Sequence, residues 1–231
     1  MTELGGHARY AIYWAPPHGS WLEAFGASWM GRDAEADEQR MRIRTDLPLE
    51  RMTEGPARYG FHGTLKAPFA LAEGGDAADL HRALADYAAR TAPATAPALA
   101  PDADLGFVAL RPSGPAPALD ALALDIVETF DRFRAPLDAE TLARRRAAGL
   151  TPAQDANLRR YGYPHVGAEF RFHVTLTNAV GPTLAADVVD TVAPLVAPYL
   201  DPVFRLDELA LFAEPAAGKA FRLIRRYPLR G

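Results

Sequence analysis

The same short frame occurs once in each half of the chain. Residues 61–65 read Phe-His-Gly-Thr-Leu and residues 172–176 read Phe-His-Val-Thr-Leu, in a sequence of 231 residues with only six histidines. In an extended strand side chains alternate, so His62 and Thr64 share one face while Phe61, Gly63 and Leu65 take the other. His173 and Thr175 likewise stand opposite Phe172, Val174 and Leu176. A single His-x-Thr is more often a hydrogen-bonded core or surface histidine, but two copies at equivalent places in a repeat point to chemistry. Two imidazoles and two hydroxyls across a cleft supply a neutral base, a protonated acid and two neutral donors. That set suits a phosphodiester. One histidine takes a proton from water or a ribose hydroxyl, the other protonates the leaving oxygen, and the threonines hold the non-bridging oxygens.

The elements that must position these residues repeat too. "RYAIYWAP" (9–16) reads as a strand, followed by a helix from Ser20, with Glu23 completing a capping box and Leu22, Phe25 and Trp29 at helical spacing. A polar loop over 32–56 leads to the first motif strand, then to a helix at 77–90 with Leu80, Leu84 and Tyr87 on one face. The Pro- and Ala-rich stretch 91–102 reads as a linker. The order then restarts: a strand at 103–112, a helix at 118–133 carrying Leu119, Leu122, Ile126, Phe130 and Phe133, a long segment, the second motif strand at 168–178 and a helix at 183–197. Terminal strands at 204–212 and 221–229 form a hairpin. The expected fold is α+β, a single bilobal domain over 1–231. Lobe one spans about 8–92 and lobe two about 103–230, related by approximate two-fold symmetry. Each lobe is a small antiparallel sheet with helices outside, and the cleft lies between them.

"RYGFHGTLKAPF" and "FRFHVTLT" resemble the paired His-x-Thr/Ser-hydrophobic signatures of the two-histidine (2H) phosphoesterase superfamily. With "RYAIYWAP" and "FRAPLDAETLARRRAAGLTPAQDANLRRYGYP", they look more narrowly like its branch labelled as a phosphonate-metabolism protein. The resemblance implies catalytic roles for His62, Thr64, His173 and Thr175, with no metal and no cofactor. Gly63 stands where that branch commonly has Ala, on the face away from the histidines, where the change matters little. The branch does not supply a substrate.

Further residues are candidates for substrate binding. Lys66, one of only two lysines, shares the strand face of His62 and Thr64. Tyr10, Arg58 and Tyr59 flank the cleft strands, Tyr59 chiefly as packing. Residues 132–171 hold eight arginines, and "TPAQ" at 151–154 reads as a capped helix start, so 134–165 is expected to form two short helices and a basic lid. Arg134, Arg144 and Tyr163 belong to it.

Composition sets the limits. No cysteine means no disulfide, thiolate nucleophile or cysteine-based metal site, and fits a reducing cytoplasm. A net charge of −4 disfavours a generic nucleic-acid coat. No apolar run reaches membrane length. Gly-x-x-x-x-Gly-Lys-Ser/Thr, Gly-x-Gly-x-x-Gly, Gly-x-Ser-x-Gly and His-Glu-x-x-His motifs are all lacking. The expected partner is a small anionic phosphodiester, handled by a monomer that uses no membrane. An RNA 2′,3′-cyclic phosphate end is the alternative substrate, and a non-catalytic nucleotide or RNA sensor the alternative class.

Overall fold

A computed structural model describes residues 5–147 and 149–231. The chain runs β1 (Arg9–Trp14), α1 (Trp21–Met30), β2 (Arg32–Asp33), β3 (Glu38–Gln39), α2 (Leu49–Ala57), β4 (Gly63–Phe69), α3 (Ala77–Arg90), β5 (Ala94–Pro97), β6 (Leu99–Asp102) and β7 (Phe107–Pro112). It continues with α4 (Pro117–Phe130), α5 (Ala139–Arg146), α6 (Pro152–Tyr161), β8 (Val174–Ala179), α7 (Pro182–Val196), β9 (Val203–Leu206), β10 (Glu208–Glu214) and β11 (Arg222–Pro228). Seven strands form one antiparallel sheet in the order β11-β10-β1-β4-β8-β7-β6. The two small sheets expected for separate lobes are therefore joined, through the single pair Gly63↔Val174 between β4 and β8.

Period-two alternation in β1 divides the molecule. Tyr10, Ile12 and Trp14 enter the main core with residues of α1, α2, α3, α4 and α7, while Ala11, Tyr13 and Ala15 pack with Phe212, Phe221 and Leu223 on the opposite face. Phe61 and Leu65 follow Tyr10 into the main core, so His62 and Thr64 emerge on the face of Tyr13. The expected apolar faces of α3 and α4 are buried at Leu80, Leu84, Tyr87, Leu119, Leu122, Ile126 and Phe130.

Three stretches depart from the sequence reading. Residues 91–102 are no linker. Pro97 and Pro101 sit in the short strands β5 and β6, which pair only with β9 and β7 respectively, so each can present a free edge where a missing donor costs nothing. The loop 32–56 contains the β2–β3 hairpin and helix α2, whose buried Leu49, Met52 and Thr53 are too few to give a strong sequence period. The strand expected over 204–212 breaks at Asp207 into β9 and β10, which join different sheets. At α1 only half the capping box forms: Ser20 accepts the Glu23 N–H, but the Glu23 carboxylate accepts from Gly19 N.

The 134–165 segment does fold as two helices. Thr151 and Gln154 close a full capping box with Pro152 in the first turn of α6. The segment is pinned to the end of β4, where Ala72 N donates to Phe133 O and Ala135 N to Ala70 O. Tyr161 Oη donates to Glu128 at 2.7 Å and ties α6 to α4.

Candidate active site

The Gly63↔Val174 pair sets the register of the two motifs. Continued by one residue on either side, that antiparallel register sets His62 opposite Thr175 and Thr64 opposite His173. The cavities agree with that cross-pairing. Thr64 and His173 line a cavity of about 210 Å³ beneath the α5–α6 segment, and His62 and Thr175 line a second of about 310 Å³.

Both imidazoles are held in the same way. His62 Nδ1 lies 2.9 Å from Gly60 O and His173 Nδ1 lies 2.7 Å from Arg171 O, each the carbonyl two residues earlier. A carbonyl can only accept, so Nδ1 carries the proton in both neutral rings and Nε2 keeps its lone pair for the cleft. Gly60 achieves this geometry with φ 78°, in a spot where a Cβ would lie 2.6 Å from that of Ala34. The Thr64 hydroxyl donates to His62 Nε2 at 3.1 Å; among the described residues His173 has no matching bond to Thr175.

The two rings differ electrostatically. Burial pulls His62 down to about 4, aided by the nearby His173 and opposed by the Gly60 carbonyl. Burial also lowers His173, helped by Arg111 and His165 and opposed by the Arg171 carbonyl. His62 is the ring more firmly kept neutral. Tyr13 lies flat against it, with centroids 3.7 Å apart and planes 20° apart. Sequence reasoning passed over Tyr13, although its place three residues from Tyr10, and so on the other face of β1, was visible.

The other expected residues divide. Tyr10 is 1% exposed in the main core and takes no part in the cleft; the β1 face that meets the site is the Tyr13 face. Arg58 donates to Glu214, a fully buried carboxylate that also accepts from Arg9 and from Gly218 N, so Arg58 serves a structural ion cluster at the rim. Tyr59 stacks on Phe221 at 5.2 Å, the expected packing role, and stands 6.3 Å from His62. Lys66 does not keep the motif face: an irregularity after Thr64 pairs it with Ile12, and it is 3% exposed, held 3.1 Å from both Asp131 and the Val127 carbonyl at the cavity wall. Arg134 makes a two-pronged contact with Asp131 and donates to Arg160 O. Arg144 and Tyr163 line the cavity as expected, with Arg145 and Arg171 of the same arginine-rich stretch, and Arg9 joins them unforeseen. Arg146, next along α5, is not among the residues lining this cavity and pairs with Asp155 on α6 at 2.6 Å.

Gly63 also differs from expectation. It faces away from the histidines, but a Cβ there would come within 2.4 Å of Phe172 Cζ. The bare backbone lets the Phe172 ring pack over residue 63, where it also meets Trp14 and Phe204.

A family model described as "Protein of unknown function (DUF1045)" matches residues 64–222. Two curated relatives are both named ribose 1,5-bisphosphate phosphokinase PhnN. The one from Janthinobacterium sp. (strain Marseille) is 34% identical over 96% of this chain and 51% of its own length. The one from Laribacter hongkongensis (strain HLHK9) is 36% identical over 94% and 51%. The chain thus spans about half the length of these relatives. Among solved structures, E. coli LigT complexed with NADP+ aligns over 98% of this chain and 100% of its own at 15% identity and TM-score 0.36. A structure described as a phosphoesterase aligns over 97% and 99% at 15% identity and TM-score 0.40. Among the described residues no helix is long and apolar enough to cross a membrane.

Proposed function

The chain belongs to the family described as "Protein of unknown function (DUF1045)", and from its site we propose that it is a metal-independent phosphodiesterase of the two-histidine type. Its substrate is a small cyclic or sugar-linked phosphodiester. The observation that carries this reading is the shared tautomer: both Nδ1 atoms are committed to backbone carbonyls, and two Nε2 atoms are left on one polar face of paired strands. His62, kept neutral by burial, accepts the proton of the attacking water through Nε2. His173, less strongly perturbed, takes a proton when the anionic ester enters and gives it to the leaving oxygen as the P–O bond breaks. Thr64 turns from His62 to the phosphoryl oxygens and joins Thr175 as a neutral donor where charge builds.

The kinase in the names of the curated relatives is not extended to this chain, which covers half of them and has no Gly-x-x-x-x-Gly-Lys-Ser/Thr loop. Their names do support phosphorylated ribose, and a place in phosphonate metabolism, as the setting. The alternative substrate, an RNA 2′,3′-cyclic phosphate end, is less favoured because the α5–α6 segment roofs the cavity beside His173.

The test is a panel of nucleoside 2′,3′-cyclic phosphates, ribose cyclic phosphates, phosphonate-derived esters and short cyclic-phosphate RNAs, assayed by mass spectrometry with and without EDTA. Hydrolysis of a small diester that survives chelation is expected. Complete loss with EDTA, restored by one divalent ion, would overturn the two-histidine mechanism.

A further inference from the structure

The cavity beside His173 carries far more positive charge than one phosphodiester can answer. Arg9, Lys66, Arg134, Arg144, Arg145 and Arg171 line it, and Asp138 is the one carboxylate among its lining residues. The acids behind the wall are shared out: Asp131 serves both Lys66 and Arg134, and Glu214 serves both Arg9 and Arg58. Arg145 has no carboxylate partner among the described residues. Its guanidinium is half-buried, donates to the Gly162 carbonyl at the end of α6, and feels Arg9 and Arg144 as like-charged neighbours. Burying an arginine without an acid is costly unless an anion arrives to pair with it.

We propose that Arg145 and Arg9, with Tyr163 beside them, form a second anion subsite that holds a terminal phosphate of the substrate. The substrate class is then a sugar carrying two phosphoryl groups: the diester between the histidines and a phosphomonoester beneath α5. A diester brings a single negative charge. A monoester brings nearly two and three acceptor oxygens, which suit a guanidinium fork. The cavity measures about 210 Å³. Ligand contacts linking α5 to the strand end at Arg9 also give the inserted segment a purpose that fold stability alone does not require. The inference rests on the phosphodiesterase reading for the first group only.

Calorimetric titration with ribose 5-phosphate, and with ribose as control, tests the subsite without any turnover. Ribose 5-phosphate is expected to bind wild-type protein, and Arg145→Gln to weaken it roughly tenfold or more. Arg145→Lys should recover part of the loss. His62→Gln should bind as wild type does, because His62 lies outside the cavity that holds the monoester. No binding by wild type, unchanged affinity in Arg145→Gln, or loss of binding in His62→Gln would overturn the subsite. Hydrolysis of the diester panel without Arg145-dependent binding removes the subsite alone; binding that persists where no diester is cleaved removes the reaction alone.

Discussion

The imidazole of His62 and the phenol ring of Tyr13 are stacked at 3.7 Å, so one whole face of the imidazole is closed to water by a fully buried neighbour on β1. Burial is the main reason that His62 titrates at about 4. Removing the stack with Tyr13→Ala is therefore expected to raise the His62 pKa toward its ordinary value and to carry the acid limb of kcat/KM upward with it. Tyr13→Phe, which keeps the ring, should leave both in place. Proton NMR titration of the His62 ring checks this directly; an unmoved midpoint in Tyr13→Ala would assign the depression to some other group.

The pair should act as one unit. His62→Ala and His173→Ala are each expected to lower kcat by about a hundredfold or more, and the double variant should resemble the worse single variant. Single-turnover assays on the best ester from the panel measure this. Near-wild-type turnover by either single variant removes that histidine from the mechanism.

Acid should destabilise the fold in a defined window. His62 and His81 are both lowered to about 4 by burial, so between pH 6.5 and 4 the unfolded chain binds protons that the folded chain refuses. Stability then rises with pH across that window and is lost as pH falls through it. Calorimetric Tm should drop from pH 6.5 to 4, and His81→Gln, which can still reach Tyr227, should make the drop shallower. A Tm flat across that range contradicts the buried, neutral state of both rings.

Gly63→Ala is expected to cost about 1–3 kcal/mol, the usual range for overpacking, because its new methyl meets Phe172. Turnover should fall as well, since the push separates the motif strands. Adding Phe172→Leu should restore much of both. Urea denaturation compares the three proteins; an additive, unrescued double variant would mean that Phe172 is not the obstacle.

How far the sequence could be read depended on the kind of signal. Long amphipathic helices such as α3 and α4 announce themselves by period, and the capping box at Thr151 marks α6 to the residue. The motif histidines and threonines stood out because they were repeated. Edge strands β5 and β6 were hidden by prolines that a central strand would exclude, and α2 by burying only Leu49, Met52 and Thr53 along nine residues. Tyr10 and Tyr13 are three residues apart on one strand and so face opposite ways, yet nothing in local pattern says which face holds the cleft. That is decided by Phe212 and Phe221, some two hundred residues downstream. The partners of Arg58 and Lys66 lie 156 and 65 residues away, out of reach of local pattern, whereas Arg134 pairs with Asp131 only three residues before it.

The seating of β1 between β4 and β10 has a consequence for synthesis. Arg9 and Glu214, joined across that boundary, are 205 residues apart. At about 5–20 residues per second a ribosome needs roughly 10–40 s to make the stretch between them. Throughout that interval β1, whose Ala11–Trp14 run is almost wholly apolar, has one bare flank, an invitation to stray pairing in the crowded nascent chain. Strands β10 and β11 close that flank, so ribosome-bound chains stalled before Glu208 should be the aggregation-prone species and chaperone clients, with emergence of the β10–β11 hairpin ending the danger.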